Sequence, residues 1–284
     1  MALTLALLST LCFGAALITA ALGLRSLDAR SGAAISIPSA TLLFVVAMPF
    51  MLDLGGFSWD AALIFAVVGL FFPALVTLVT FRANDQLGPS VTGAISSTAP
   101  LFALLAAAVL LQEDVPPRAI VAACGVAAGV AMLSWRRARV GTGASGWALL
   151  LPVWGAALRG LAQVMAKAGL LIWPNPFAAS LIGYLVSSAT VLTVDRVPRA
   201  ARLARTRAAV AWFALTGLIN GAAVLLMYSA LTRAPVSTVA PVVATYPLVT
   251  VLLSAIFLRA EPLPARAIAG ILLSVAAILY LVAG

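Results

Sequence analysis

The chain has no histidine, one lysine, two cysteines and only eight carboxylates in 284 residues. Those eight, Asp28, Asp53, Asp60, Asp85, Glu113, Asp114, Asp195 and Glu261, all fall in linkers or at the ends of apolar runs. A proton relay buried in a membrane needs an ionisable group inside it, and an intramembrane hydrolase needs a base or a carboxylate pair, so both are disfavoured. No GxSxG nucleophile motif is present either, and the chain is not expected to be an enzyme. Cys12 and Cys124 sit within apolar runs, where a thiol serves as a small hydrophobe and no disulfide framework arises. No metal or other cofactor is implied.

What fills the space is apolar. Hydrophobic residues make up 64% and charged residues 9%, against roughly half and a quarter in an ordinary soluble domain, so the chain is a multispanning membrane protein. A helix needs about 20 apolar residues to cross a bilayer. Ten such stretches appear, at 3–24, 33–52, 61–81, 91–111, 119–135, 147–169, 177–194, 209–231, 237–258 and 267–283. The first could pass for a signal peptide, but it lacks a basic leader and is kept as a helix. The net charge of +9 comes mostly from arginines in the spacers. That is a topology signal, and no nucleic-acid-binding motif accompanies it. With ten spans, thirteen arginines fall on one side and only Arg118 and Arg233 on the other, leaving Arg159 and Lys167 inside the sixth span. The positive-inside rule then places both termini outside, periplasmic for a bacterial inner membrane.

The linker EDVPPRAI at 113–120 is nearly repeated as EPLPARAI at 261–268. Glu113, Pro116, Arg118, Ala119 and Ile120 match Glu261, Pro264, Arg266, Ala267 and Ile268 at a shift of 148. At 147, Phe81, Ala83, Ser90, Thr98, Pro100 and Leu101 match Tyr228, Ala230, Ser237, Thr245, Pro247 and Leu248. At 141, Phe13-Gly14-Ala15-Ala16-Leu17 matches Trp154-Gly155-Ala156-Ala157-Leu158. Apolar bias alone seldom aligns Glu, Pro and Arg, so the chain is internally duplicated, as 1–135 and 147–284 joined by a linker at 136–146. Five spans per half force the halves to insert in opposite senses. This predicts an all-α membrane fold, ten transmembrane helices as two inverted five-helix repeats around a central cavity, which is an architecture of secondary transporters.

The paired phrases Phe81-Arg82-Ala83 through Pro100 to Glu113, and Tyr228-Ser229-Ala230 through Pro247 to Glu261, resemble the EamA-type families of the drug/metabolite transporter superfamily. The resemblance covers nearly the whole chain. It implies a ten-helix bundle that exports amino acids or other small metabolites, with aromatic amino-acid exporters as the closest type. The small four-helix multidrug members of that superfamily carry a membrane carboxylate, which this chain lacks, so facilitated export without proton coupling is expected.

Several residues are candidates for contact with such a substrate. Pro100 and Pro247, inside spans four and nine, remove a helical hydrogen bond and push away the carbonyls of Ser96 and Val243, so they are expected to break or gate those helices. Arg159 lies near the middle of its span, where a guanidinium is costly unless it faces protein or water. Three roles fit it: pairing with a substrate carboxylate, satisfying carbonyls freed at a broken helix, or snorkelling to the interface if the span is shifted. Gln163 is one turn away on the same face. Phe13, Trp154, Phe81, Tyr228 and Tyr246 are placed to build a stacking cavity, with Thr98 and Asn220 adding polar contacts. Lys167 is read as a snorkelling end residue, Trp135, Trp147, Trp173 and Trp212 as an interfacial belt, and the GxxxG pairs 125/129 and 217/221 as close helix packing. Glu113 and Glu261 are read as caps of the helices that follow them. The run GTGASG at 141–146 fits a dinucleotide-binding pattern but joins two membrane helices, so it is set aside. The expected substrate is an amino acid, aromatic or hydrophobic, or a related metabolite, moved by alternating access. The alternatives are anionic phosphorylated metabolites held by Arg159 and Lys167, or a channel-like bundle. The lipid bilayer is the only other expected partner, and one chain supplies both halves, so a monomer suffices.

Overall fold

The computed structural model describes residues 1–134, 146–194, 206–257 and 265–283. The side chains of residues 29, 81, 82, 84, 85, 88–91, 93, 94, 134, 194 and 255–257 lie outside that description. The apolar runs fold as helices because a backbone in lipid must satisfy its own hydrogen bonds. The order is α1 (Ala2–Gly23), α2 (Ala29–Met51), α3 (Trp59–Phe71), α4 (Ala74–Ser96), α5 (Ala99–Leu110), α6 (Pro117–Ser134), a short 3-10 turn (Gly146–Leu149), α7 (Leu150–Ile172), α8 (Pro176–Val194), α9 (Arg207–Leu231), α10 (Val236–Val243), α11 (Tyr246–Phe257) and α12 (Ala265–Ala283). Among the described residues eight segments are long and apolar enough to cross a membrane, and two shorter apolar helices, Ala99–Leu110 and Pro117–Leu133, complete the ten.

Two boundaries differ from expectation. The third span breaks at Pro73, which has no amide hydrogen to continue the ladder, so α3 ends at Phe71 and α4 begins at Ala74. Helical backbone then continues through the polar stretch 82–90, where Ala83 and Leu87, one turn apart, are both buried and hold the helix to its neighbours.

The inverted duplication is visible in the packing. A β-carbon on Gly23 would meet the Phe213 ring, and one on Gly169 the Phe65 ring. One on Gly217 would meet the Ser36 carbonyl, and one on Gly69 the Gly183 carbonyl. One on Gly14 would meet Val249 and the Tyr246 carbonyl, and one on Gly160 Phe102 and the Ala99 carbonyl. Each contact maps onto its twin at shifts of 146 to 148. Near the axis relating the halves, Thr41 Oγ1 and Ser188 Oγ, which are 147 residues apart, share a hydrogen bond of 2.6 Å.

This overturns one part of the sequence alignment. The match of Phe13-Gly14 with Trp154-Gly155 is five residues out of structural register: Gly14 corresponds to Gly160, Phe13 to Arg159 and Leu17 to Gln163. The local identity of the two GAAL strings concealed that register. Both GxxxG pairs pack inside the chain, Gly125 and Gly129 against Ala277, Ser274 and Gly270 of α12, and Gly217 and Gly221 against Ser36, Ala40 and Phe44 of α2.

Two side chains are placed differently from expectation. Trp173 is 2% exposed instead of interfacial, its Nε1 donating to the Gly55 carbonyl at 3.1 Å with Phe57 and Phe65 against its ring. A rigid indole with a satisfied N–H can be fully buried. Cys124 is exposed on α6 and Cys12 partly buried, both as free thiols. Trp147 is exposed, and Trp135 lies outside the described residues.

Candidate functional site

The two inner helices that break are built alike. α4 ends at Ser96 and α5 resumes at Ala99, with Pro100 in its first turn, while α10 ends at Val243 and α11 resumes at Tyr246, followed by Pro247. Proline is tolerated there because its missing N–H would have no helical partner in a first turn. At one break, the Ile95 carbonyl accepts from Thr98 N at 3.1 Å and Thr98 Oγ1 at 2.7 Å. At the other, the Val242 carbonyl accepts from Thr245 N at 3.1 Å and Thr245 Oγ1 at 2.7 Å. The carbonyls caught by the threonines therefore precede the expected Ser96 and Val243 by one residue, because each break closes with three-residue bonds. Thr98, predicted to touch substrate, spends its hydroxyl proton on this closure.

The lining beside the two breaks differs. At the first break, Gly160 brings α7 of the second half onto α5 of the first, since a β-carbon there would stand 2.7 Å from Ala103 N and 2.9 Å from Ala99 O. Arg159 and Gln163 flank this contact. Arg159 lies on the α7 stripe of Pro152, Gln163 and Ala166, all buried, yet is itself partly exposed. Among the described residues it makes no hydrogen bond or ion pair. Gln163 is 7% exposed, and among the described residues its Oε1 has no partner, nor do the buried Thr92 Oγ1 and Ser96 Oγ on α4. Each such atom costs about 1 to 3 kcal/mol when left unsatisfied.

At the second break the corresponding positions are apolar or aromatic. Phe13, on α1, stands where the first break has Arg159, and its ring lies 6.1 Å from that of Tyr246 at an interplanar angle of 53°. Val239 and Val243, both buried, replace Thr92 and Ser96. Thr10 Oγ1 donates to the Val242 carbonyl at 3.2 Å, a third donor that Ala156 cannot supply at the first break.

The remaining predicted residues scatter. Trp154 is 62% exposed on the outer face, which removes it from the cavity for the same reason that corrected the register. Asn220 Nδ2 donates to Tyr184 Oη at 3.3 Å, joining α9 to α8, and Tyr228 is buried. Pro100 is buried and Pro247 partly so. The side chain of Phe81 lies outside the described residues. Sequence reasoning missed Thr92 and Ser96, although the register of 147 sets them against Val239 and Val243.

At one end of the bundle a second cluster joins the halves. Glu113 does not cap its own following helix. It reaches across to the start of α10, accepting from Val236 N at 3.0 Å, Ser237 N at 2.8 Å and Ser237 Oγ at 2.6 Å. A carboxylate suits the positive end of a helix, and here the helix belongs to the other half. Lys167, predicted to snorkel, donates to the carbonyls of Leu231 at 2.5 Å and Ala234 at 3.2 Å, closing the C-terminal end of α9. An open recess of about 390 Å³ lies here, lined by Glu113, Lys167 and Arg233 among others. Glu261 lies outside the described residues.

Comparison with known proteins agrees with this architecture. Among solved structures 29 chains match. One, a crystal structure, superposes with a TM-score of 0.78 at 17% identity over 98% of this chain and 94% of its own, a likeness of fold. No curated protein matches. The model of the EamA-like transporter family matches residues 1–135 and again 146–283. On that coverage, the chain is a member of the EamA-like transporter family, a membrane transporter of small molecules with ten helices and an internal repeat.

Proposed function

We propose that this transporter exports amino acids, aromatic or hydrophobic ones first, across a bacterial inner membrane by alternating access and without proton coupling. The observation that carries this is Arg159: a guanidinium in mid-span, partly exposed on an otherwise buried stripe, with no partner among the described residues. A substrate carboxylate supplies the missing partner through charge-assisted hydrogen bonds. Phe13 and Tyr246, at the corresponding place beside the second break, offer an aromatic wall to an apolar side chain. A carrier of phosphorylated anions is less favoured, because Lys167 is already committed to backbone carbonyls. Uncoupled export is favoured because Glu113, the carboxylate that reaches the inner helices, is held by three donors and is poorly placed to carry a proton.

Counterflow in proteoliposomes tests the reading with labelled phenylalanine against leucine and a sugar phosphate, with and without a pH gradient. We expect saturable phenylalanine counterflow without a gradient. Arg159→Gln should raise its KM about tenfold to a hundredfold, the loss expected for one charge-assisted hydrogen-bonding partner. Sugar phosphate outcompeting phenylalanine, or wild-type flux in Arg159→Glu, would sink the proposal.

A further inference from the structure

The three buried polar atoms without a partner among the described residues, Thr92 Oγ1, Ser96 Oγ and Gln163 Oε1, all come from α4 and α7, the pair of helices that frames Arg159. Thr92 and Ser96 are one turn apart and share a face of α4. Gln163 follows Arg159 by one turn on α7, and Gly160 between them touches the chain at Ala99, three residues past Ser96.

The second break is an internal control. At a shift of 147 Thr92 and Ser96 become Val239 and Val243, both buried, and at 146 Gln163 becomes Leu17, which is exposed. The architecture accepts apolar side chains in place of the two hydroxyls, so helix packing does not require hydroxyls there. A group that weakens the fold at a site where its twin is valine must be satisfied in some other circumstance.

We infer that Thr92, Ser96 and Gln163 form a hydrogen-bonding wall of the transport path, closed and unpartnered in the state described here, that takes up the polar end of the substrate when the seam between α4 and α7 parts. The hydroxyls donate and accept, and the amide adds an acceptor. Beside Arg159 the wall therefore selects a ligand carrying hydrogen-bond donors next to its anionic group. The inference extends the proposed role of Arg159 and assigns specificity to residues outside that role.

The test uses the residues of the second break. Thr92→Val, Ser96→Val and Gln163→Leu, each in the full chain, should raise the melting temperature by about 2 to 4 °C. Each should also raise the KM for phenylalanine counterflow about fivefold or more. A lower melting temperature with wild-type flux would assign these groups to structural hydrogen bonds and overturn the inference, as would a higher one with wild-type flux. Failure of the wild type to carry phenylalanine would instead strike the proposed function. The wall is then decided by labelling Ser96→Cys in membranes with a methanethiosulfonate ethylammonium reagent, in a chain whose Cys12 and Cys124 are replaced by alanine. Reaction at position 96 with none at Val243→Cys supports the wall; an unreactive position 96 overturns it.

Discussion

The break between α4 and α5 and the break between α10 and α11 share a backbone and differ in everything that lines them. Both carry a threonine that returns its hydroxyl to the carbonyl three residues back, and both place a proline two residues later. Beside the first stand Arg159, Gln163, Thr92 and Ser96. Beside the second stand Phe13, Leu17, Val239 and Val243, with Tyr246 in place of Ala99. A duplicated chain needs similar halves to exchange conformations, but it needs unlike linings to hold a molecule with a polar end and an apolar end. Symmetry here resides in helix packing, and recognition resides in the departures from it.

The sharpest way to break this comparison is at Glu113, where one half caps the other. Removing the carboxylate in Glu113→Ala frees two amide hydrogens and a hydroxyl of α10 and leaves Lys167 without its nearby negative charge, which should cost about 3 kcal/mol. The repeat sets Pro89 and Ser90 where Val236 and Ser237 stand, and proline has no N–H to offer. Glu261→Ala should therefore cost clearly less. Denaturant or thermal unfolding of both variants checks this, and equal losses would mean that the cap is not what distinguishes the two linkers.

A smaller effect is expected at the twin glycines. A β-carbon on Gly160 runs into backbone atoms of α5, and one on Gly14 into Cβ and Cγ1 of Val249 at 2.6 Å, of which Cβ moves only with its own helix. Gly160→Ala and Gly14→Ala should therefore each destabilise by about 2 kcal/mol, within the range for overpacking. A clearly unequal loss would show that the two twin contacts are not equally tight.

Much of the fold was legible in the sequence because lipid imposes a simple rule, about 20 apolar residues per crossing, and because Glu, Pro and Arg mark the repeat where composition bias cannot. Spans four, five, nine and ten were aligned by such residues. Spans one and six were misaligned, since their structural match pairs Phe13 with Arg159 and shares only small or aliphatic residues such as Gly14 with Gly160 and Gly23 with Gly169. In a chain this rich in Ala, Gly and Leu such identities do not stand out from composition bias, and only the close approaches fix the register. Arg159 and Gln163 stood out because polarity in mid-span is rare. Thr92 and Ser96 did not, because a hydroxyl in a helix usually bonds its own backbone, and only three-dimensional packing reveals that these do not. The partner of Glu113 lies 123 residues away, beyond any local capping pattern.

The mildest contrast lies at two helix starts, and pH separates them. Asp28 caps α2 by accepting from Ser31 N at 3.3 Å, and at a shift of 147 Asn175 caps α8 by accepting from Ala178 N at 2.9 Å. Partial burial works against the charge on Asp28, but hydrogen bonds from Ser31 and the neighbouring backbone outweigh it and hold its pKa below the ordinary carboxylate value. A carboxyl with a lowered pKa in the fold stabilises the chain above its unfolded pKa, and that contribution drains away as pH falls through the folded value. Asn175 has no proton to gain, so α8 should keep its cap in acid. Amide hydrogen exchange at Ser31 should therefore lose protection relative to Ala178 as pH drops below about 4, after correction for intrinsic rates. Asp28→Asn should remove the difference by giving the first half the cap of the second, and a difference that survives the substitution would place its origin elsewhere in the helix.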